Sequence, residues 1–273
     1  MSNERSPAIS LSVENGVAVM SMNRPRQRNP FTEEFIADFR RCLDAIEADA
    51  QVGAVVLIGA DGVFSAGGDV KGMVERIEQG GASAADIRRR MYGLHEWIQR
   101  FRTLERPVIA AVDGPAFGGG LGLALMADFV LCTPRAQFCA VFARIGLVPD
   151  VGLFYTLPRM VGLQRAKELM ATARVVDADE ARALGLVMEI HPAEALRSAA
   201  LEMAGRLCEA NPVAFAITKR LTNQSFDMDV NALIEAEAAA QGICMATGYH
   251  ADAVRRFRDK QPLRFVWPQP PRT

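Results

Sequence analysis

Two glycine-bearing segments carry the strongest chemical signal in this sequence. The first runs Phe64-Ser65-Ala66-Gly67-Gly68-Asp69-Val70-Lys71-Gly72-Met73, and the second Gly114-Pro115-Ala116-Phe117-Gly118-Gly119-Gly120-Leu121-Gly122. A strand that turns through glycines into a helix leaves backbone N–H groups unpaired at the positive end of the helix dipole. Two such turns converging on one point would hold a developing oxyanion without any side chain. Each turn alone also reads as tight chain reversal with close helix–strand packing. Neither has the order of a phosphate loop or a dinucleotide fingerprint, so nucleotide hydrolysis and hydride transfer lack support.

The elements that would position these turns follow from the apolar pattern. Val17–Met22, residues 54–58 and Val108–Val112 are compact β-rich runs, and the second glycine segment follows directly on the last of them. Between the first two, Phe35, Phe39, Leu43 and Ile46 repeat at helical spacing; before the third, Ile87, Met91, Leu94, Ile98 and Phe101 form another stripe. Shorter strand-like runs occupy Phe129–Cys132, 137–140 and 187–190. Asp177 with Glu180 three residues later has the form of a capping box. The alternation predicts an α/β chain with helical crossovers.

Beyond Pro192 the strand-like runs stop, and helical patterns cover 196–208, 212–221, 230–246 and 251–257. Asn211-Pro212 is a cap followed by a first-turn proline. Helices of this kind have too little core to stand alone, so they are expected to pack on the body or on another subunit. The expected division is a core over 1–200 and a helical oligomerisation region over 201–273.

Composition bounds the function. Of 273 residues, 50% are hydrophobic and 23% charged, as in ordinary soluble globular chains. Lys plus Arg number 31 against 32 Asp plus Glu, for a net charge of -1. A nucleic-acid binder needs a basic excess, so no nucleic-acid partner is expected. No run reaches the ~20 apolar residues that cross a bilayer, so no membrane partner is expected either. Residues 1–7 have no apolar core for a signal peptide, and residues 270–273 match no peroxisomal address. The five cysteines, Cys42, Cys132, Cys139, Cys208 and Cys244, lack paired metal-ligand spacing. They predict reduced side chains in a cytoplasmic protein, and no metal.

In this order and spacing, the two glycine turns resemble those of the crotonase (enoyl-CoA hydratase/isomerase) superfamily, across nearly the whole chain. Asn23-Arg24-Pro25-Arg26-Gln27-Arg28-Asn29 resembles the family's approach to its coenzyme A site. Arg106-Pro107-Val108-Ile109-Ala110-Ala111-Val112-Asp113-Gly114 resembles its central strand. Ala136-Gln137-Phe138 and Ile145-Gly146-Leu147-Val148-Pro149 resemble the strand and loop that follow. The resemblance implies a spiral of β-β-α turns and a helical tail that assembles homotrimers or dimers of trimers. It implies an acyl-CoA thioester substrate, with coenzyme A part of the substrate and no separate cofactor. It places the oxyanion-hole amides on Gly68 and Gly119.

The family's hydratases carry glutamates at the positions held here by Gly122 and Phe142. Neither residue can move a proton, so hydration is disfavoured. Asp150, in Leu147-Val148-Pro149-Asp150-Val151-Gly152, is by itself a turn aspartate before glycine. By resemblance it stands at or beside the lone acid of the family's isomerases, and where the aryl-CoA dehalogenases carry a nucleophilic aspartate. His95 lies one step off the apolar stripe, where a packed structural histidine is the ordinary expectation. Its spacing to Arg106-Pro107 resembles that of the histidine that activates water in the dehalogenases. Phe142 replaces a tryptophan that helps those enzymes bind the aryl ring.

Arg26, Arg28, Lys71 and Lys260 each read singly as ordinary solvated cations. By resemblance they are candidates for the coenzyme A site, with Arg28 and Lys260 expected on its phosphates and backbone around Ala66 and Gly68 on the adenine. The expected function is enoyl-CoA double-bond isomerisation, with Asp150 as both base and acid and a wall around Phe142 raising its proton affinity. The alternatives are dehalogenase-like hydrolysis with Asp150 as nucleophile and His95 as base, hydration, or inert binding of CoA esters.

Overall fold

The computed structural model describes residues 6–268. The readings of 270–273 and of most of 1–7 lie outside those residues. The strands are β1 Ile9–Glu14, β2 Val17–Met22, β3 Pro30–Phe31, β4 Ala54–Gly59, β5 Gly67–Gly68, β6 Val108–Val112, β7 Pro115–Phe117, β8 Phe129–Cys132, β9 Gln137–Cys139, β10 Val176–Asp177 and β11 Glu189–Ile190. The helices of the body are α1 Glu33–Ala48, α2 Val70–Glu78, α3 Ala84–Thr103, α4 Gly119–Leu125, α5 Leu153–Val161, α6 Leu163–Thr172 and α7 Ala178–Ala183. Four more follow without an intervening strand: α8 Ala193–Cys208, α9 Pro212–Gln224, α10 Val230–Met245 and α11 Gly248–Arg258.

The main sheet has the order β1-β2-β4-β6-β8-β11, parallel except for the β1–β2 hairpin. Its central strands read as unbroken apolar runs because both faces are covered. Val55, Leu57, Ala110 and Val112 point to one core, shared with Phe35, Phe39, Trp97 and Phe101 of α1 and α3. Ala54, Val56, Ile109 and Ala111 point to the other, closed by Leu196, Ala200 and Met203 of α8. Small second sheets, β10-β9-β7 and β3-β5, carry the glycine turns. The architecture is the α/β crotonase-like fold that the motifs implied.

Helix boundaries follow local chemistry. Thr32 caps α1 by accepting from the Phe35 amide, and Asp177 caps α7 by accepting from Glu180. The Glu180 carboxylate pairs with Arg174 instead of reaching back to the cap. Among the described residues no helix is long and apolar enough to cross a membrane.

Helix α9 is fastened to the body by a buried ion pair. Lys219 Nζ donates to Asp128 Oδ2 at 2.7 Å and to the Arg106 carbonyl at 3.1 Å. Burial pushes the lysine's pKa down and the aspartate's up, against their mutual attraction. Removing one partner strands the other charge in the interior. Lys219→Met should therefore destabilise the protein by roughly 3 to 5 kcal/mol, and adding Asp128→Asn should recover part of that loss, as read from urea unfolding.

Candidate active site

The two glycine turns meet. Ser65 bridges to Ala116, and β5 runs parallel to β3, with Gly67 opposite Pro30 and Gly68 opposite Phe31. Gly67 has φ +82°, and a Cβ there would lie 2.5 Å from the Gly119 nitrogen and 2.7 Å from the Phe117 carbonyl oxygen. Only glycine permits that approach in that conformation. Gly118, at φ +53°, caps α4, so Gly119 is the helix's first residue and its amide has no acceptor within the helix. Gly68 lies exposed beside it on the adjoining turn. The structure thus brings together the two turns that the sequence singled out.

The lone carboxyl stands on the next loop. A short 3-10 turn, Val141–Ile145, buries Phe142, whose ring tip would lie 3.8 Å from a Cβ on Gly118. The chain then runs to Asp150, whose carbonyl accepts from the Leu153 amide as α5 begins. Asp150 is half-buried, and burial raises its carboxyl to about 6, while the charge of His95 pulls the other way. The charge of His95, exposed on α3, is thus felt at Asp150 despite their distance in sequence, although the two form no hydrogen bond or ion pair among the described residues. Trp97 and Ile98, not His95, are buried on this stretch of α3, Trp97 packing among Phe31, Phe35, Phe39 and Phe101.

Val151 was not singled out by the sequence, and it shapes the site. It is buried and holds φ +50°, an outlying conformation for a β-branched residue. Its side chain fills the space over the second turn: a Cβ on Gly119 would meet Val151 Cγ2 at 3.2 Å. A Cβ on Gly122 would lie 2.7 Å from both the Cβ and the carbonyl oxygen of Val151. No local sequence pattern signals a left-handed valine; the following Gly152, itself at φ +72°, is the one hint. A carboxylate therefore cannot be grafted at position 122 without moving the Asp150 loop. Gly122→Glu, alone or with Phe142→Glu, is expected to gain no hydratase activity and to lower stability by about 2 kcal/mol, measured by crotonyl-CoA hydration and thermal unfolding.

The basic residues divide. Arg28, at φ +63°, accepts the Ala66 amide on its carbonyl at 2.8 Å, which sets it against the first glycine turn. Arg26 and Arg28 are exposed and form no ion pair among the described residues, and Lys71 lies 3.9 Å from Glu75 on the surface of α2. Lys260 sits in the exposed turn after α11, without a hydrogen bond or ion pair to Arg28, Ala66 or Gly68 among the described residues.

The α/β body presents two abutting backbone-amide turns and, on the next loop, a carboxyl raised by burial, parts suited to holding an oxyanion. The sequence profile described as Enoyl-CoA hydratase/isomerase matches residues 12–268, and the chain belongs to that family. It is similar to a solved enoyl-CoA hydratase/isomerase from Cupriavidus metallidurans CH34, with TM-score 0.90, 41% identity, and 96% and 98% of the two chains covered. It is 32% identical over 256 residues to the short-chain-enoyl-CoA hydratase of Clostridium acetobutylicum, covering 93% of this chain and 95% of that one. It is also 32% identical over 265 residues to 4-chlorobenzoyl coenzyme A dehalogenase-2 of an Arthrobacter species, covering 96% and 94%.

Proposed function

We propose that this family member shifts the double bond of an enoyl-CoA. Asp150 removes a proton from one carbon and returns it two carbons away, while the Gly68 and Gly119 amides hold the oxygen of the dienolate. One observation carries the proposal: Asp150, on the loop whose Val151 packs against the second turn, has been raised to about 6 by burial, and Gly122 and Phe142 stand where paired glutamates would be needed to add water. A base with that affinity accepts a proton near neutrality and gives it back. Phe142 is buried beside Gly118, but its neighbours Ile145, Leu147 and Val148 are exposed, so of the expected apolar wall this one ring is in place. A panel of 2- and 3-enoyl-CoA esters of short, long and aromatic acyl groups, scored for isomerisation and hydration, tests this; hydration outpacing isomerisation throughout would refute it.

A second reading has its own support. His95 is within electrostatic reach of Asp150, and the similar Arthrobacter protein is named a dehalogenase. In that chemistry Asp150 attacks a ring carbon of an aryl-CoA and expels halide, or the thioester of an acyl-CoA and expels the CoA thiolate, and His95 activates the water that hydrolyses the aspartyl intermediate. Isomerisation tolerates His95→Ala; hydrolysis does not.

Coenzyme A enters as part of the substrate in either reading, with no further cofactor. Arg26, Arg28 and Lys71 flank the first glycine turn, the side expected for its phosphates. Loss of Arg28 or Lys260 to alanine should weaken coenzyme A binding by about ten- to a hundredfold. Lys260 is assigned to that site by its resemblance to a tail lysine of the family. Helix α10 buries none of its residues in the chain, yet it exposes Val230, Ile234, Ile243 and Met245, which supports assigning 201–273 to oligomerisation. A trimer or dimer of trimers by sedimentation is the expected state, and a monomer at micromolar concentration is the contrary result.

A further inference from the structure

The hydrogen bonds around Ser65 tie it to both glycine turns at once. Ser65 is fully buried; its hydroxyl donates to the Asn29 carbonyl at 2.7 Å and accepts from the Gly67 amide at 3.0 Å. Its backbone faces the other turn: the Ser65 amide donates to the Pro115 carbonyl at 3.0 Å, and the Ser65 carbonyl accepts from Phe117 at 2.9 Å. A Cβ on Gly120 would lie 2.2 Å from that same carbonyl oxygen. The first turn is thus held by the serine side chain and the second by the serine backbone. With Gly67 occupied by Ser65, Gly68 is the next amide in line.

Asn29 holds Ser65 in turn. It is fully buried at φ +47°, and its carboxamide makes three hydrogen bonds. Oδ1 accepts from the Arg24 amide at 2.7 Å, and Nδ2 donates to the Val63 carbonyl at 2.8 Å and to that of Phe64 at 2.7 Å. Both donors of the carboxamide are therefore spent on the two residues that lead into Ser65. A buried polar group so fully satisfied fixes one geometry.

We infer that Ser65, locked by Asn29, is a positioning residue that sets the spacing between the Gly68 and Gly119 amides and so controls how strongly a bound thioester carbonyl is polarised. The inference rests on the assignment of those two amides as the oxyanion hole. An oxyanion hole works by donors fixed in advance at the position the charged oxygen will occupy, so a small displacement of one turn weakens catalysis more than binding.

The test is vibrational. A 2-enoyl-CoA with an isotope-labelled thioester carbonyl is bound to the wild type and to Ser65→Ala, and the carbonyl stretch is compared with that of the free ester. In the wild type the band should move to lower frequency. In Ser65→Ala it should return most of the way to the free value, with kcat falling about ten- to a hundredfold and KM changing by less than about threefold. Should the alanine variant fail to fold, Ser65→Cys, which keeps a side chain of similar shape with a weaker acceptor, should give an intermediate shift. A folded variant with the wild-type band and kcat overturns the positioning role alone. A wild-type band identical to that of the free ester overturns the oxyanion hole itself, which is a distinct outcome.

Discussion

Asp150→Asn should abolish isomerisation, lowering kcat by about a hundredfold to ten-thousandfold, because the amide can neither take nor return the proton. The loss should come without loss of fold. In the wild type, kcat/KM should drop about tenfold per pH unit below about 6, the value to which burial raises Asp150, as the base becomes protonated. The stability effect has the opposite sense. A carboxyl raised in the folded state keeps its proton where the unfolded chain, at ~3.9, has already lost it. Its contribution is thus greatest below about pH 4 and is lost as the pH rises through about 6. At neutral pH the desolvated carboxylate costs roughly 2 kcal/mol, so Asp150→Asn should be inactive and more stable than the wild type by about that amount, with the gap closing in acid. Urea unfolding at acid and neutral pH measures it.

Gly67→Ala carries the second large effect. The new methyl would sit 2.5 Å from the Gly119 nitrogen and 2.7 Å from the Phe117 carbonyl, with φ at +82°. Both neighbours are backbone atoms, so the turns must separate. The expected cost is about 2 to 4 kcal/mol in stability, from left-handed strain and overpacking together. Activity should fall by about a hundredfold to a thousandfold, the scale for losing an oxyanion donor. Gly80→Ala is the matching control: φ is +98°, yet nothing lies within 4 Å of the added carbon. It should lose only about 1 kcal/mol and keep full kcat. Equal kcat in the two variants would mean that the contact between the turns has no part in catalysis.

The central strands were legible in the sequence because both of their faces are buried, which turns each into a continuous apolar run. The tail helices were legible from their spacing and their caps, Asn211 at α9 among them. Strand β1 went unread because its side chains are partly exposed and its apolar pattern is weak. Its signal was Asn15-Gly16, whose φ values of +50° and +78° make the tight turn into β2. Strands β3, β5, β7 and β10 have two or three residues each, too few for any period; contacts between turns create them. Within the site, the glycines were legible because backbone geometry demands that residue type. Val151 was not, because its conformation is imposed by packing against Gly119 and Gly122 rather than by a local preference. The electrostatic reach of His95 to Asp150 depends on how α3 lies across the body, and only the fold supplies that.

The most direct test of the single-carboxyl proton shuttle is the fate of isotopes during turnover. A 3-enoyl-CoA is converted in heavy water enriched in heavy oxygen, and product and protein are then analysed by mass spectrometry. Isomerisation through Asp150 predicts a shifted double bond, deuterium at the α or γ carbon in proportion to the exchange of the Asp150 proton with solvent during turnover, and no heavy oxygen in the Asp150 peptide. Heavy oxygen accumulating in Asp150, with no shifted double bond formed, would contradict the shuttle and assign Asp150 as a nucleophile.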